Sequence, residues 1–78
     1  MKITVYGGDN CQKCKVLLEN TKSMVSEIGI DAQIVYEKDL ELMISKGILS
    51  IPALEINGKI VSVGKVPKPK ELKKYLME

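Results

Sequence analysis

The chain has 78 residues, of which 45% are hydrophobic and 28% charged, and its formal net charge is +2. This length predicts one domain, residues 1–78, with room for one modest core. So small a net charge gives no electrostatic argument for a nucleic-acid partner, and none is predicted. The chain has three Tyr and neither Phe nor Trp, so its core must consist mainly of aliphatic side chains.

No segment of the sequence has the pattern of an export signal or a membrane span. Residues 1–8 alternate in polarity and lack the apolar stretch and cleavage site of a secretory signal. No apolar run approaches the ~20 residues that cross a bilayer. We therefore expect a cytoplasmic protein without membrane association, in a compartment whose thiol pool disfavours structural disulfides. Two cysteines in such a place suggest catalytic, redox or metal chemistry.

The first elements predicted along the chain are a strand and a long helix. Lys2 to Tyr6 is rich in β-branched residues and stops at Gly7-Gly8, which is typical of a strand. Asp9-Asn10 is a suitable N-capping pair for a helix from about Cys11 to Ile28, with Gly29 as its C-terminal stop. The spacing of apolar residues along this helix predicts one buried face, formed by Leu17, Thr21, Met24 and Ile28 and widened by Leu18 and Val25.

A second strand and a short helix follow. Ile30 to Tyr36 alternates, with Ala32, Ile34 and Tyr36 on one side of the pleat. Asp39 is placed to cap a helix from about Leu40 to Lys46, which Gly47 ends. The strand, helix and strand at the front of the chain predict a parallel pair of strands with a right-handed crossover.

The C-terminal third carries the clearest local signal. Asn57-Gly58 separates Ala53–Ile56 from Lys59–Val63, and this dipeptide favours a type I′ hairpin turn. Pro69, near the start of an amphipathic segment that contains Leu72 and Leu76, predicts a last helix. The complete order is β-α-β-α-β-β-α, which predicts an α/β fold with a mixed four-stranded sheet.

Cys11 and Cys14 are the only cysteines, and their spacing allows a bridge at the start of the first helix. Unpaired N–H groups and the helix dipole favour a thiolate there, and Lys13 and Lys15 add positive charge. Cysteines in such pairs have pKa values of about 3.5–7.5. We expect Cys11 to attack a substrate disulfide, and the more buried Cys14 to resolve the mixed disulfide into an intramolecular bridge.

Two other functions fit a Cys-x-x-Cys pair. The thiolates could hold a soft metal, Cu(I) or Zn(II), although zinc prefers four ligands and the chain has no His and no other Cys. The module could also be an adaptor that recognises partners without catalysis. A Cys-x-x-Cys beside a βαβ pattern is nevertheless typical of thiol redox chemistry, which is the leading interpretation.

Together with these cysteines, the segment Ser50-Ile51-Pro52-Ala53-Leu54 and the hairpin Glu55 to Lys59 complete a wider pattern. Over essentially its whole length the chain resembles the thioredoxin/glutaredoxin superfamily. It is most similar to short prokaryotic thioredoxin-like proteins with a redox-active disulfide. The resemblance implies a minimal thioredoxin-like fold with helices on both faces of the sheet.

The resemblance also implies how the site works. Pro52 is expected to follow a cis peptide bond and to face the disulfide, while the backbone of Ile51 pairs with an extended segment of the substrate. Independently of the resemblance, the positive charge of Lys13 near the helix start makes it the expected tuner of the thiol pKa. The expected partners of this monomer are protein disulfides and a disulfide reductase, and no cofactor is needed. Val63-Gly64-Lys65-Val66 stands where glutaredoxins carry a glutathione-binding motif, so glutathione binding is not predicted.

Overall fold

The computed structural model describes residues 1–78 as seven elements in the predicted order. The four strands are β1 (Lys2–Tyr6), β2 (Gln33–Glu37), β3 (Ala53–Ile56) and β4 (Lys59–Val63). The three helices are α1 (Gln12–Ile28), α2 (Leu40–Ser45) and α3 (Pro69–Met77). None of the helices has the length and apolar character that crossing a lipid bilayer requires.

The strands form one mixed sheet in the order β2-β1-β3-β4. The β1–β2 pair is parallel, and β3 is antiparallel to both β1 and β4. In the turn between β3 and β4, Asn57 has φ 49° and Gly58 has φ 84°. Both values are positive, as the predicted type I′ turn requires. The α/β fold with a mixed four-stranded sheet is therefore confirmed.

The helices lie on both faces of the sheet, as the resemblance implied. On one face, α1 and α3 pack on β1 and β3 around a core of eight buried residues: Ile3, Val5, Leu17, Met24, Leu54, Ile56, Leu72 and Leu76. The other face holds a smaller cluster under α2, formed by Tyr6, Met43, Ile48 and Ala53. The larger core supports the helix that carries both cysteines.

The predicted N-cap of α1 is wrong. Cys11, rather than Asp9 or Asn10, is the N-cap residue, with extended backbone at φ −109° and ψ 103°. Its sulfur accepts a hydrogen bond from the Cys14 N–H at 3.2 Å. Asp9 is instead paired with Lys38, whose Nζ lies 2.8 Å from its Oδ1. This long-range ion pair removes the carboxylate from the helix end.

The second strand begins later than its apolar pattern predicts, at Gln33 rather than Ile30. The N–H of Ile30 still bonds to the Val25 carbonyl at 3.3 Å, so this residue belongs to the C-terminal cap of α1. Gln33 pairs with Lys2, the first residue of β1, and the ladder starts only where β1 does. By contrast, Asp39 caps α2 through its Oδ1, as predicted.

Candidate active site

The two cysteines form a disulfide at the amino end of α1. Their Cα atoms are 5.3 Å apart, within the usual range for a bridge. Cys14 lies in the first turn of the helix and is fully buried, whereas Cys11 is half-buried at the N-cap. The two sulfurs therefore differ in access, and an incoming group meets Cys11 first.

The amino end of α1 has the polarity expected to favour a sulfur anion. The Cys11 sulfur already accepts the Cys14 N–H, one of the donors that a helix leaves unpaired at its start. The first turn holds no acidic side chain that would oppose a negative charge. Lys13 lies in this turn, exposed to solvent and without an ion pair or hydrogen bond of its own. The helix dipole and the positive charge of Lys13 therefore both favour a negative charge on the sulfur.

The loop before β3 approaches the same site. The Ile51–Pro52 peptide bond is cis, as the resemblance implied. Pro52 is buried and Ile51 is 40% exposed. A Cβ atom built on Gly8 would lie 3.4 Å from the Cδ1 of Ile51 and 3.9 Å from the Cβ of Cys11. Ile51 and Cys11 therefore flank the same short turn, although they are 40 positions apart.

An apolar groove of about 340 Å³ runs from this turn along α2 and the loop that follows it. Its apolar lining is formed by Leu40, Met43, Ile48, Leu49 and Ile51. Leu40 is 66% exposed and Leu49 is 85% exposed, which is unusual for such large aliphatic side chains. Exposed apolar groups beside a reactive centre are typical of a surface that contacts another molecule.

Tyr36 and Gly7 also contribute to the site, and the sequence interpretation missed both. The Tyr36 hydroxyl donates a hydrogen bond to the Gly8 carbonyl at 2.7 Å. A Cβ on Gly7 would lie 2.6 Å from the Cβ of Cys14 and 2.7 Å from the Cζ of Tyr36. The Gly-Gly pair after β1 was a signal of close packing, but no local pattern pointed to Tyr36.

The structure brings no third metal-ligating side chain to the two cysteines. No group of three or more His, Cys, Asp or Glu side chains in the structure is placed to hold a metal ion. The nearest acidic neighbour in the turn, Asp9, is paired with Lys38. A tetrahedral zinc site would therefore need further ligands from another molecule.

Comparison with known proteins agrees with this geometry. A family model described as "Thioredoxin domain" matches residues 1–77. The chain is 34% identical over 76 residues to a protein named "Thioredoxin" from Methanothermobacter thermautotrophicus, covering 97% of both chains. It is 38% identical over 69 residues to a "Thioredoxin" from Methanocaldococcus jannaschii, covering 88% of this chain and 79% of the relative. The chain therefore belongs to the thioredoxin family, and its bridged Cys-x-x-Cys pair makes it a thiol–disulfide oxidoreductase.

Proposed function

We propose that the protein exchanges disulfides with other proteins, with Cys11 as the attacking cysteine and Cys14 as the resolving one. The observation that carries this assignment is the difference in burial across the bridge. Cys14 is inaccessible inside the first turn of α1, while Cys11 borders solvent at the helix end. Thiol–disulfide exchange requires direct sulfur-to-sulfur attack, so the accessible sulfur meets the target.

The exchange takes two steps, which balance in electrons and protons. The Cys11 thiolate attacks one sulfur of the target disulfide, and the other target sulfur leaves as a thiolate that takes up a proton. Cys14 then loses its proton and attacks the Cys11 sulfur of the mixed disulfide, and the second target sulfur leaves as a thiolate that takes up a proton in its turn. The target gains two electrons and two protons, and the protein is left with the Cys11–Cys14 bridge. A disulfide reductase would return both electrons and protons.

Three features of the helix start support Cys11 as the nucleophile. Its sulfur faces the Cys14 N–H, it lies at the positive end of the α1 dipole, and Lys13 adds a cation nearby. Lys13 is exposed, so water and salt screen its effect on the thiol. We therefore assign most of the tuning of the Cys11 pKa to the helix end and a smaller part to Lys13.

A target segment has a natural place beside the bridge. Ile51 precedes the cis bond, borders the turn that leads to Cys11 and keeps much of its surface exposed. We propose that an extended segment of the target pairs with the backbone of Ile51 next to Pro52, while the apolar groove takes its aliphatic side chains. The proposed partners are thus protein disulfides and a disulfide reductase. We also propose that the protein is a cytoplasmic monomer in which residues 1–78 form one domain.

Trapping of the mixed disulfide tests the roles of the cysteines. Cys14→Ser removes the resolving thiol, so covalent complexes on Cys11 should accumulate and release their targets on addition of dithiothreitol. Cys11→Ser is the matched control, because its remaining thiol is buried and should trap little. If Cys11→Ser trapped as well as Cys14→Ser, or better, the assigned roles would be wrong.

The pH dependence of alkylation tests the tuning of Cys11. In Cys14→Ser, the rate of reaction with iodoacetamide should report a Cys11 pKa below the value of about 8.5 for a free thiol. Adding Lys13→Gln should lower the positive charge near the sulfur and raise this pKa modestly, and Lys15→Gln, two positions further along the chain, should raise it less. A Cys11 pKa equal to that of a peptide thiol would remove the basis of the proposal.

A further inference from the structure

Tyr36 reaches the active site from the neighbouring strand. It lies in β2, paired in register with Val5 of β1, and its ring is half-buried beside the main core. At the far end of the ring, the hydroxyl donates to the Gly8 carbonyl at 2.7 Å. The side chain therefore spans from the edge strand to the turn that connects β1 with Cys11.

The residue after Tyr36 holds the same turn by its backbone. The Glu37 carbonyl accepts the Gly7 N–H at 3.0 Å. Tyr36 thus binds Gly8 through its side chain, and Glu37 binds Gly7 through its main chain. Without the Tyr36 hydroxyl, the Gly8 carbonyl would keep no partner within the protein, because no other protein donor bonds to it.

Tyr36 is also a close neighbour of Cys14. A Cβ atom built on Gly7 would collide with both side chains, at 2.6 Å from the Cβ of Cys14 and closer still to the Tyr36 hydroxyl oxygen. The phenol and the buried cysteine therefore meet across Gly7, which has no side chain to separate them. The ring limits the space into which Cys14 could move when the bridge opens.

We propose that Tyr36 is a positioning residue for the redox pair, which fixes the turn before Cys11 and confines Cys14. This inference rests on the proposed exchange function and adds to it a determinant of the redox equilibrium. An intramolecular disulfide forms more readily when its two thiols are held close, because their effective concentration is then high. A looser turn lets Cys11 move away from Cys14, so the dithiol form gains relative to the bridge.

Equilibration with glutathione measures this effect directly. Two glutathione thiols reduce the Cys11–Cys14 bridge to two protein thiols and become one glutathione disulfide, with two electrons and two protons transferred. The ratio of bridged to dithiol protein, read by alkylation and mass spectrometry across glutathione mixtures, gives the equilibrium constant. Both the bridged and the dithiol form are measured, on the chain of residues 1–78.

Tyr36→Phe removes only the hydroxyl and keeps the ring, so the fold should survive. Loss of one hydrogen bond is worth about 0.5–1.5 kcal/mol, and the equilibrium changes only by the part of this energy that the dithiol form does not also lose. We expect the equilibrium constant for bridge formation to fall about threefold, and by no more than about tenfold. A tenfold fall raises the midpoint potential by about 30 mV. Circular dichroism of the variant checks that it is folded.

Tyr6→Phe is the matched control. It also loses one hydroxyl with a protein hydrogen bond, to Glu55 at 3.0 Å, but on the opposite face of the sheet. Its bridge equilibrium should stay within about twofold of the parent, although its stability falls. The inference is supported if Tyr36→Phe lowers the equilibrium constant for bridge formation while Tyr6→Phe leaves it unchanged.

Two results would overturn it. Tyr36→Phe could lower thermal stability and leave the glutathione equilibrium unchanged, which would make Tyr36 a packing residue only. Alternatively, both variants could shift the equilibrium equally, which would show a general response to lost stability. If the parent protein itself formed no reversible bridge, the proposed exchange function would fail instead, and the two failures are thus distinguishable.

Discussion

The two faces of the sheet are built in different ways. Beneath α1 and α3, eight buried side chains, all of them apolar, form a core whose first member on α1 is Leu17, three residues after Cys14. Beneath α2, the apolar cluster has four members, and the buried carboxylate of Glu55 lies beside it. Glu55 accepts hydrogen bonds from Tyr6 at 3.0 Å and from Lys46 at 3.1 Å. The larger core thus packs against α1, the helix whose amino end carries the disulfide.

The polar trio on the α2 face compensates for a smaller core. A buried carboxylate is costly unless it is hydrogen-bonded, and here both a phenol and an ammonium satisfy it. The trio connects β1, β3 and the C-terminal end of α2, which has only six residues. The comparison indicates that apolar burial stabilises one face and that a hydrogen-bonded charge network contributes to the other.

The sharpest test of this difference is truncation of one core residue on each face. Leu17→Ala, in the larger core, should lower the free energy of unfolding by about 3–4 kcal/mol. Met43→Ala should cost about 2 kcal/mol, because the smaller cluster lies under a short helix that can settle into the space. Urea denaturation of the oxidised proteins measures both values. A cost for Met43→Ala equal to that for Leu17→Ala would contradict the contrast.

A second test adds a single methyl group at the edge of the larger core. Gly7→Ala would place a Cβ 2.6 Å from the Cβ of Cys14, so the helix start or the Tyr36 ring must move. We expect a loss of about 2–3 kcal/mol in unfolding free energy. Gly8→Ala is the matched control: its Cβ would make ordinary contacts, the nearest with Ile51 at 3.4 Å, and should cost less than about 1 kcal/mol. Equal costs at the two positions would refute the packing argument.

The polar trio predicts a dependence of stability on alkaline pH. Burial, and then the hydrogen bond and charge of Glu55, raise the pKa of Tyr6 above its usual 10.0. The native state therefore holds this proton to higher pH than the unfolded chain does. The resulting stability is full below pH 10 and is lost as pH rises through the raised pKa.

Tyr6→Phe should therefore cost about 1 kcal/mol at neutral pH and reduce the alkaline loss of stability. Some loss should remain, because the hydrogen bond to Glu55 also raises the pKa of Lys46, which the variant keeps. Urea unfolding of parent and variant between about pH 8 and pH 11 measures the difference. Parallel curves for the two proteins would show that Tyr6 does not titrate as described.

The smallest effect is expected at the exposed pair of Asp9 and Lys38. The hydrogen bond from Lys38, and then its charge, lower the pKa of Asp9 from 3.8. Stability from this pair is therefore present above pH 3.8 and lost as pH falls through the lowered value. Asp9→Asn should reduce thermal stability slightly at low salt and not at all at high salt, since solvent screens exposed pairs. A loss that persisted at high salt would show a role beyond the ion pair.

Features governed by neighbouring residues were predicted well from the sequence. Asn57-Gly58 produced the turn with two positive φ angles, and Asp39 capped α2, because each depends on backbone within a few positions. The apolar spacing of α1 correctly predicted that Leu17, Thr21 and Met24 are buried. The Cys-x-x-Cys pair is likewise a local motif, and its sulfurs are bridged as expected.

Features set by distant contacts were not predicted. Asp9 was assigned to the helix cap, but its partner Lys38 lies 29 positions away and nothing near Asp9 indicated it. Tyr36 was expected only as one side of a strand, since its bond to Gly8 spans 28 positions. Glu55 is buried in β3, an inner strand, and its carboxylate is satisfied by Tyr6 and Lys46 from other elements. Such contacts follow from the sheet order, which a pattern of single residues does not specify.

The position of β1 inside the sheet has a consequence for synthesis on the ribosome. Both cysteines follow β1 directly, but β3, one of its two neighbours, comes from residues 53–56, beyond the middle of the chain. A nascent chain therefore emerges with both thiols before the strand that supports them has a complete set of partners. In that interval the redox conditions around the nascent chain, rather than the folded domain, govern the oxidation state of the pair.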